Sequence, residues 1–455
     1  MNNAQEQLDN LIGALANPAT WLLVLLGLVV CVVLGFSRSA KWAVVAGLLF
    51  ISNLDTSSWI KNQTLVTPLP LLLSFARALA FGSLLLLLVP TLMSDRGWRR
   101  SFVPAAAVFF LLCEMMLTLR IAADGNHQKS TLGFVLFPLT FIILIVGIGR
   151  HLQSVRGAER LITAITAGGA MVLLATVIQV LVNSQAVVHR GRLAGLTSSP
   201  NHSAVIFALL LIPTAHLITR QGVGLKYRLS MIGIGGLASA MLLWTGSRTG
   251  ALMAAVGLVM YFRHRIDKLF IVAAAVGISL FAAMQVFSDS SESAERMLDT
   301  SDTRSHVWQA MFRNFASNPF FGVGEQTRYS ENSFLLVASQ AGLLALVPLI
   351  IFVFLMVYSV IRMLRLRAFM DRDLRATSDF VLASVCALGA GACFEGYFTA
   401  FFSFPLYYLY LQFPLLAFVI DAAQARATSN DVGFDQPFEL AQQLEYPWVD
   451  NAIPR

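Results

Sequence analysis

Charge is what this sequence has least of. Asp, Glu, Lys and Arg make up 13% of its 455 residues, against about 25% in an ordinary soluble domain. Such a chain cannot present a water-facing surface on all sides, so a soluble globular enzyme is excluded. Cysteine is scarce too. Cys31, Cys113, Cys386 and Cys393 all fall inside apolar runs, where they read as small core residues and not as a disulfide framework or zinc site. Lys and Arg are missing from the first seventeen residues. The first apolar run, Trp21–Phe36, thus has no basic leader, and with no clear small-residue cleavage site it reads as a retained helix. There is no Walker loop, no nucleophile elbow and no visible internal duplication, which argues against an NTPase, an α/β-hydrolase and an inverted-repeat transporter. His189, His202, His216 and His306 show no metal-ligand spacing.

What is there is hydrophobic: 57% of the residues, with a mean hydropathy of +0.70. The apolar residues come in runs of about 17–25, the length a helix needs to cross roughly 30 Å of hydrocarbon. They lack the period-two alternation of barrel strands, and a bilayer core admits only helices or closed barrels. The fold class is therefore all-α, a polytopic helical membrane protein. Thirteen apolar segments can be drawn: 18–36, 40–54, 67–93, 101–119, 131–149, 161–183, 203–219, 229–244, 249–262, 268–287, 333–361, 379–396 and 404–420. Segments two, eight and nine are short, so 12–13 transmembrane helices are expected. Residues 1–420 read as a single integral-membrane domain, and 421–455 as an acidic, disordered cytoplasmic tail.

Positive charge orients the chain. Loops after odd-numbered segments hold nineteen Lys and Arg, and loops after even-numbered ones hold ten over a greater length. Lys and Arg are retained on the cytoplasmic side, which puts the N-terminus outside and the C-terminus inside. The net charge of +7 follows largely from this bias and does not call for a nucleic-acid partner. An even helix count with both ends inside is the rival arrangement.

The long polar interval from Ser288 to Glu331 then faces the non-cytoplasmic side, and long loops usually carry function. Ser301 or Asp302 is placed to cap a short helix running to about Ala316. Val307, Trp308, Met311, Phe312 and Phe315 recur at helical spacing as one apolar face. Asn318-Pro319 ends it, and Gly322 and Gly324 permit a tight return.

Two shorter loops face the same side. Arg190-Gly-Arg192 offers two guanidiniums suited to bidentate phosphate binding, or to lipid headgroups. Asn201, after Pro200, suits a helix cap or a substrate contact equally well. Arg248, in Thr245-Gly-Ser-Arg-Thr-Gly250, sits between two short apolar segments, at a depth where a charge is a functional candidate by default; its alternative is snorkelling to the interface. Arg304 opens the loop helix, at the site or in solvent. Glu331, at the start of segment eleven, can serve as a partly desolvated general base or complement the helix N-terminus. Arg328 joins the basic residues of the loop. Within the membrane, Arg77 and Glu114 are expected to pair. Glu395, near the end of segment twelve, is either structural or a second acid at the site.

These pieces stand in a recognisable order. Arg192-Leu-Ala-Gly195 with Pro200-Asn201, Thr245-Gly-Ser-Arg248-Thr-Gly250, Arg304-Ser-His-Val-Trp308, Asn318-Pro-Phe-Phe-Gly322-Val-Gly324 and Asn332-Ser-Phe-Leu335, leading to Gln340-Ala-Gly342-Leu343, together resemble the bacterial O-antigen ligase and O-antigen polymerase superfamily. The resemblance covers about 190–360, with the outer loop at 288–332. It implies a multi-pass inner-membrane glycosyltransferase that needs no metal or other cofactor and inverts the anomeric centre. The donor would be an undecaprenyl-diphosphate-linked glycan at the periplasmic face, and the acceptor a glycan or a lipid A core. Membrane lipids and other polysaccharide-assembly proteins are the remaining partners.

Carried over, Arg192 and Arg248 hold the diphosphate with Arg190, Asn201 and Arg328 around it. Arg304 neutralises the leaving charge, and the acceptor hydroxyl is activated beside Asn332. Ligases commonly carry His where this chain has Glu331, which tilts the expectation toward a polymerase of surface or exopolysaccharide. A transporter or flippase of a lipid-linked or anionic solute, and a non-enzymatic envelope scaffold, are the readings from other classes.

Overall fold

The computed structural model describes residues 40–52, 54, 65, 69–92, 104–189, 191–197, 199–264, 304–324, 331–399 and 402–432. Among these the helices are α1 (Ala40–Ile51), α2 (Leu69–Leu92), α3 (Ala105–Ala123), α4 (His127–His151, π-helical over Phe141–Gly147), α5 (Val155–Asn183), α6 (Pro200–Thr219), α7 (Leu225–Trp244), α8 (Arg248–Phe262), α9 (Ser305–Ser317), α10 (Ser333–Arg365), α11 (Arg372–Ala392) and α12 (Phe404–Val432). Seven are long and apolar enough to cross a membrane; α1 and α8 are shorter apolar helices. This is a polytopic helical membrane protein. Eleven of the thirteen expected segments coincide with helices, and segments 18–36 and 268–287 lie outside the described residues.

Burial sorts the helices. Every residue of α6 from Ser203 to Leu217 is buried, as are Tyr407, Tyr408, Tyr410 and Phe413 of α12. Leu181, Phe354 and Tyr358 point outward instead, at 80%, 71% and 62% exposure. An apolar side chain facing hydrocarbon costs nothing, so outward Leu and Phe are the normal solvent-facing set of such a bundle. α8 nests against α6 and α11. A Cβ on Gly250 would lie 2.6 Å from that of Ala204, and this close approach fixes the first turn of α8 against α6.

The buried acid of α3 departs from expectation. Glu114 is fully buried and accepts a hydrogen bond from the Tyr410 hydroxyl, whereas Arg77 lies on an exposed face of α2. A buried carboxyl needs a donor and not necessarily a cation, and the inward aromatic face of α12 supplies one. α12 also runs on to Val432, past the boundary expected at 420, so any disordered tail begins later; 433–455 lie outside the described residues.

The segment after α9 docks into a broken helix. Within α10, Gly342 has φ 61° and ψ −153°, which interrupts the backbone ladder inside an apolar segment. The segment after α9 repairs it: Leu343 N–H donates to the Pro319 carbonyl at 2.7 Å, Leu344 N–H to Phe320 at 3.2 Å, and Val323 N–H to Ser339 at 2.8 Å. Non-helical backbone at membrane depth is tolerated where protein satisfies it in this way. The approach leaves no room for side chains. A Cβ on Gly322 would be 2.4 Å from the Gln340 carbonyl carbon, and one on Gly342 2.5 Å from that of Phe320. The motifs Asn318–Gly324 and Gln340–Leu343 are thus two halves of one joint. Arg120 of α3 clamps it by donating from Nε to the Phe321 carbonyl at 2.8 Å.

Candidate functional site

Four helices, α6, α8, α9 and α10, begin at one place. The N-terminus of a helix carries unpaired N–H groups and a positive dipole end, favouring anions. Three of the expected arginines stand there on adjacent elements. Arg192 lies on β2 (Arg192–Leu193), paired antiparallel with β1 (Val188–His189) so that His189 faces Arg192. The tight turn is made by Gly191, at φ 68°.

Arg192 is 8% exposed. Its Nε donates to the Thr245 carbonyl at 2.7 Å and its Nη2 to Asn201 Oδ1 at 3.2 Å. Asn201 therefore braces the arginine from the first turn of α6. The cap of that helix is Ser199, whose hydroxyl accepts from His202 N–H at 3.3 Å, so the capping role considered for Asn201 falls to Ser199 instead.

Thr245 to Thr249 carries the connection onward. Ser247 caps α8 by accepting from Gly250 N–H, leaving Arg248 exposed on the first turn and turning Thr249 inward. Arg304 is the N-cap residue of α9; positions 301–303, where Ser301 and Asp302 were expected to cap it, lie outside the described residues. The α9 face is as expected at Val307 and Met311, both buried against Leu336 of α10. Phe312, however, is 59% exposed.

Arg304 is held on all sides. Nη1 donates to the Phe394 carbonyl at 2.7 Å, and Nη2 to Thr249 Oγ1 at 3.1 Å and to Glu395 Oε1 at 3.4 Å. Nε faces Glu331 Oε2 at 3.9 Å, and the guanidinium lies over the Phe394 ring at 5.6 Å from its centroid.

Two carboxylates thus share one arginine. Glu395 occupies the turn after α11 and is 3% exposed. Burial above all raises its carboxyl, Arg304 opposes the rise and the Glu331 charge adds to it, for a net value of about 7. Its backbone carbonyl accepts from Ser333 Oγ at 2.6 Å, tying the turn to the first residue of α10. Glu331 Oε2 is shielded from solvent and accepts no hydrogen bond among the described residues, so one lone pair of a carboxylate faces the site unspent. Asn332 caps α10, its Oδ1 accepting from Phe334 and Leu335 N–H at 3.0 Å each. It does so at φ 73°, the one positive value for a non-glycine among the described residues. Such strain persists only where surrounding structure enforces it and clusters at functional sites.

Of the residues singled out from the sequence, the fold brings Arg192, Asn201, Arg304, Glu331 and Asn332 into this connected set and leaves Arg248 on its edge. Arg190 and Arg328 lie outside the described residues. The member that sequence reasoning left undecided is Glu395; its one available signal was an acid at the end of an otherwise apolar segment.

A family model described as O-antigen ligase matches residues 233–350. No curated protein matches the chain. The matched window spans α8, α9 and the broken half of α10, while Arg192, Asn201 and Glu395 reach the same site from outside it.

Proposed function

We propose, from the match of residues 233–350 to a family model described as O-antigen ligase, that the chain moves a glycan from an undecaprenyl-diphosphate carrier to a sugar hydroxyl. The reaction takes place at the periplasmic face of the bacterial inner membrane, in polymerisation of a surface or exopolysaccharide. The observation that carries this reading is a pair of contact groups laid across four helix N-termini, Asn201–Arg192–Thr245 and Thr249–Arg304 with Glu395 and Glu331, joined by the short segment from Thr245 to Thr249.

In this reading Arg192 and Arg248, with Arg190 and Arg328, receive the diphosphate. As the bond between the anomeric carbon and the phosphate oxygen breaks, its electrons go to the diphosphate, and fixed guanidiniums and helix N-termini stabilise the growing charge. The acceptor hydroxyl attacks the opposite face and gives its proton to Glu331, whose free Oε2 lone pair is available for it; the anomeric centre inverts. Arg304 holds Glu331 in place through the ion pair at 3.9 Å, and Glu395 anchors Arg304 from behind. Transfer to a lipid A core is the second reading, favoured by the match to an O-antigen ligase family model. The experiment is incubation of the purified protein with a synthetic undecaprenyl-diphosphate oligosaccharide, with and without lipid A core. Chain growth supports the polymerase and a core conjugate the ligase. Cargo movement between leaflets with no new glycosidic bond would overturn both in favour of a flippase.

A further inference from the structure

At the end of the bundle away from this site lies a second polar chamber. Its volume is about 440 Å³, and apart from Ala376 every residue lining it is polar or charged, in a chain that is 57% hydrophobic. It is built where α6 and α8 end, where α5 and α11 begin, and from the 3₁₀ turn Leu366–Phe369 that follows α10. α6, α8, α10 and α11 therefore each run from the diphosphate site at one end to this chamber at the other.

The wall carries a small excess of positive charge, with Arg220, Arg367, Arg372 and Arg375 set against Glu159, Asp373 and Asp379. Glu159 is taken by Arg220 at 2.5 Å. Asp379 is shared by two guanidiniums, Arg367 at 2.5 Å and Arg263 at 2.8 Å, so that pair of contacts leaves one cation uncompensated. Arg372 and Arg375, on the exposed first turn of α11, form no ion pair within 4 Å among the described residues. The imidazole of His264 is held below its usual value, first by partial desolvation and then by Arg367 and Arg263, which reports the same local field. A chamber of this size suits a small ligand, and forked guanidiniums select phosphate oxygens. Basic pockets between transmembrane helices are also known binding places for anionic headgroups.

We propose that this chamber binds a phosphorylated anion, with Arg372 and Arg375 as its principal contacts and the Arg367–Asp379 pair, itself braced by Arg263, in its wall. The ligand is either the headgroup of an anionic phospholipid or a soluble phosphate ester. Its occupant touches the far ends of the helices that carry the diphosphate site, so binding stabilises the bundle as a whole.

The test uses the full-length protein, wild type and an R372A/R375A double variant, whose substituted positions are exposed and lie outside the glycosyl-transfer site. One arm measures melting temperature in nanodiscs of phosphatidylcholine with increasing phosphatidylglycerol. The other titrates inorganic pyrophosphate into protein in neutral detergent. The expected result is a saturable rise in melting temperature in at least one arm, with apparent affinity falling tenfold or more in the double variant. The arm that responds identifies the source of the phosphate. Because pyrophosphate can also enter the Arg192 site, a response that is equal in wild type and double variant overturns the proposal, as does no response in either arm. A double variant with a lowered basal melting temperature is replaced by R375Q, for which the same loss is required.

Discussion

Glu331 and Glu395 differ by environment more than by chemistry, and that difference sets what each does. Glu331 keeps one shielded oxygen without a hydrogen bond, while Glu395 is consumed by Arg304. Glu331→Gln keeps the size of the side chain and removes the base, so transfer should fall about 10²–10⁴-fold with expression and melting temperature close to wild type. A variant with normal product length and rate would remove the base assignment. Glu395 predicts a pH effect on stability with a definite sign. Its carboxyl is raised to about 7 in the fold, so between the ordinary carboxylate range and 7 the native state binds more protons than the unfolded one. Its contribution is then complete at low pH and is lost as pH climbs through 7. Melting temperature of the wild type should drop across that window relative to Glu395→Gln, and parallel curves for the two proteins would sink the argument. Arg192 is a third case at this scale. Lys keeps the charge but cannot reach Thr245 and Asn201 together with a planar fork, so Arg192→Lys should lose less donor use than Arg192→Ala but still fall well short of wild type in a donor-saturation assay.

At the scale of elements, the joint between the segment after α9 and α10 matters most. Gly342 breaks the helix at positive φ, and the turn of Gly322 fills the break. Ala at either position has to adopt a disfavoured conformation and push against backbone, which costs about 1–3 kcal/mol for the strain alone. Gly342→Ala should therefore lower the melting temperature by several degrees and loosen α9, read as faster hydrogen exchange in Ser305–Ser317. Protection of that helix equal to wild type would show that the joint does not hold it. Both halves of the motif were legible in the chain as glycines after Asn-Pro and inside an apolar run. That they fit each other was not, because a contact between Phe320 and Gly342 depends on how two segments pack and leaves no periodic trace.

For the whole molecule, the alternation of charge in the loops sets every helix direction at once, and the two polar centres must open to opposite sides. In a cysteine-free background, a cysteine replacing exposed Ser317 should react with an impermeant maleimide in intact cells. One replacing exposed Gln221 should react only after the membrane is breached. The reverse pattern would place the diphosphate site in the cytoplasm and overturn the proposed reaction.

By itself the sequence determined the class of solvent and, among the described residues, where most helices lie. Those properties are local: run length, charge and turn residues act within a few positions of one another. Only the tertiary structure decided the partners. Arg192 meets Thr245 across 53 positions, and Arg304 meets Glu395 across 91. It also replaced the expected Arg77–Glu114 pair with Glu114 and Tyr410. Hydrogen-bond geometry between distant segments is set by helix packing, so a residue such as Glu395 acquires its meaning only when α11 is laid beside α9 and α10.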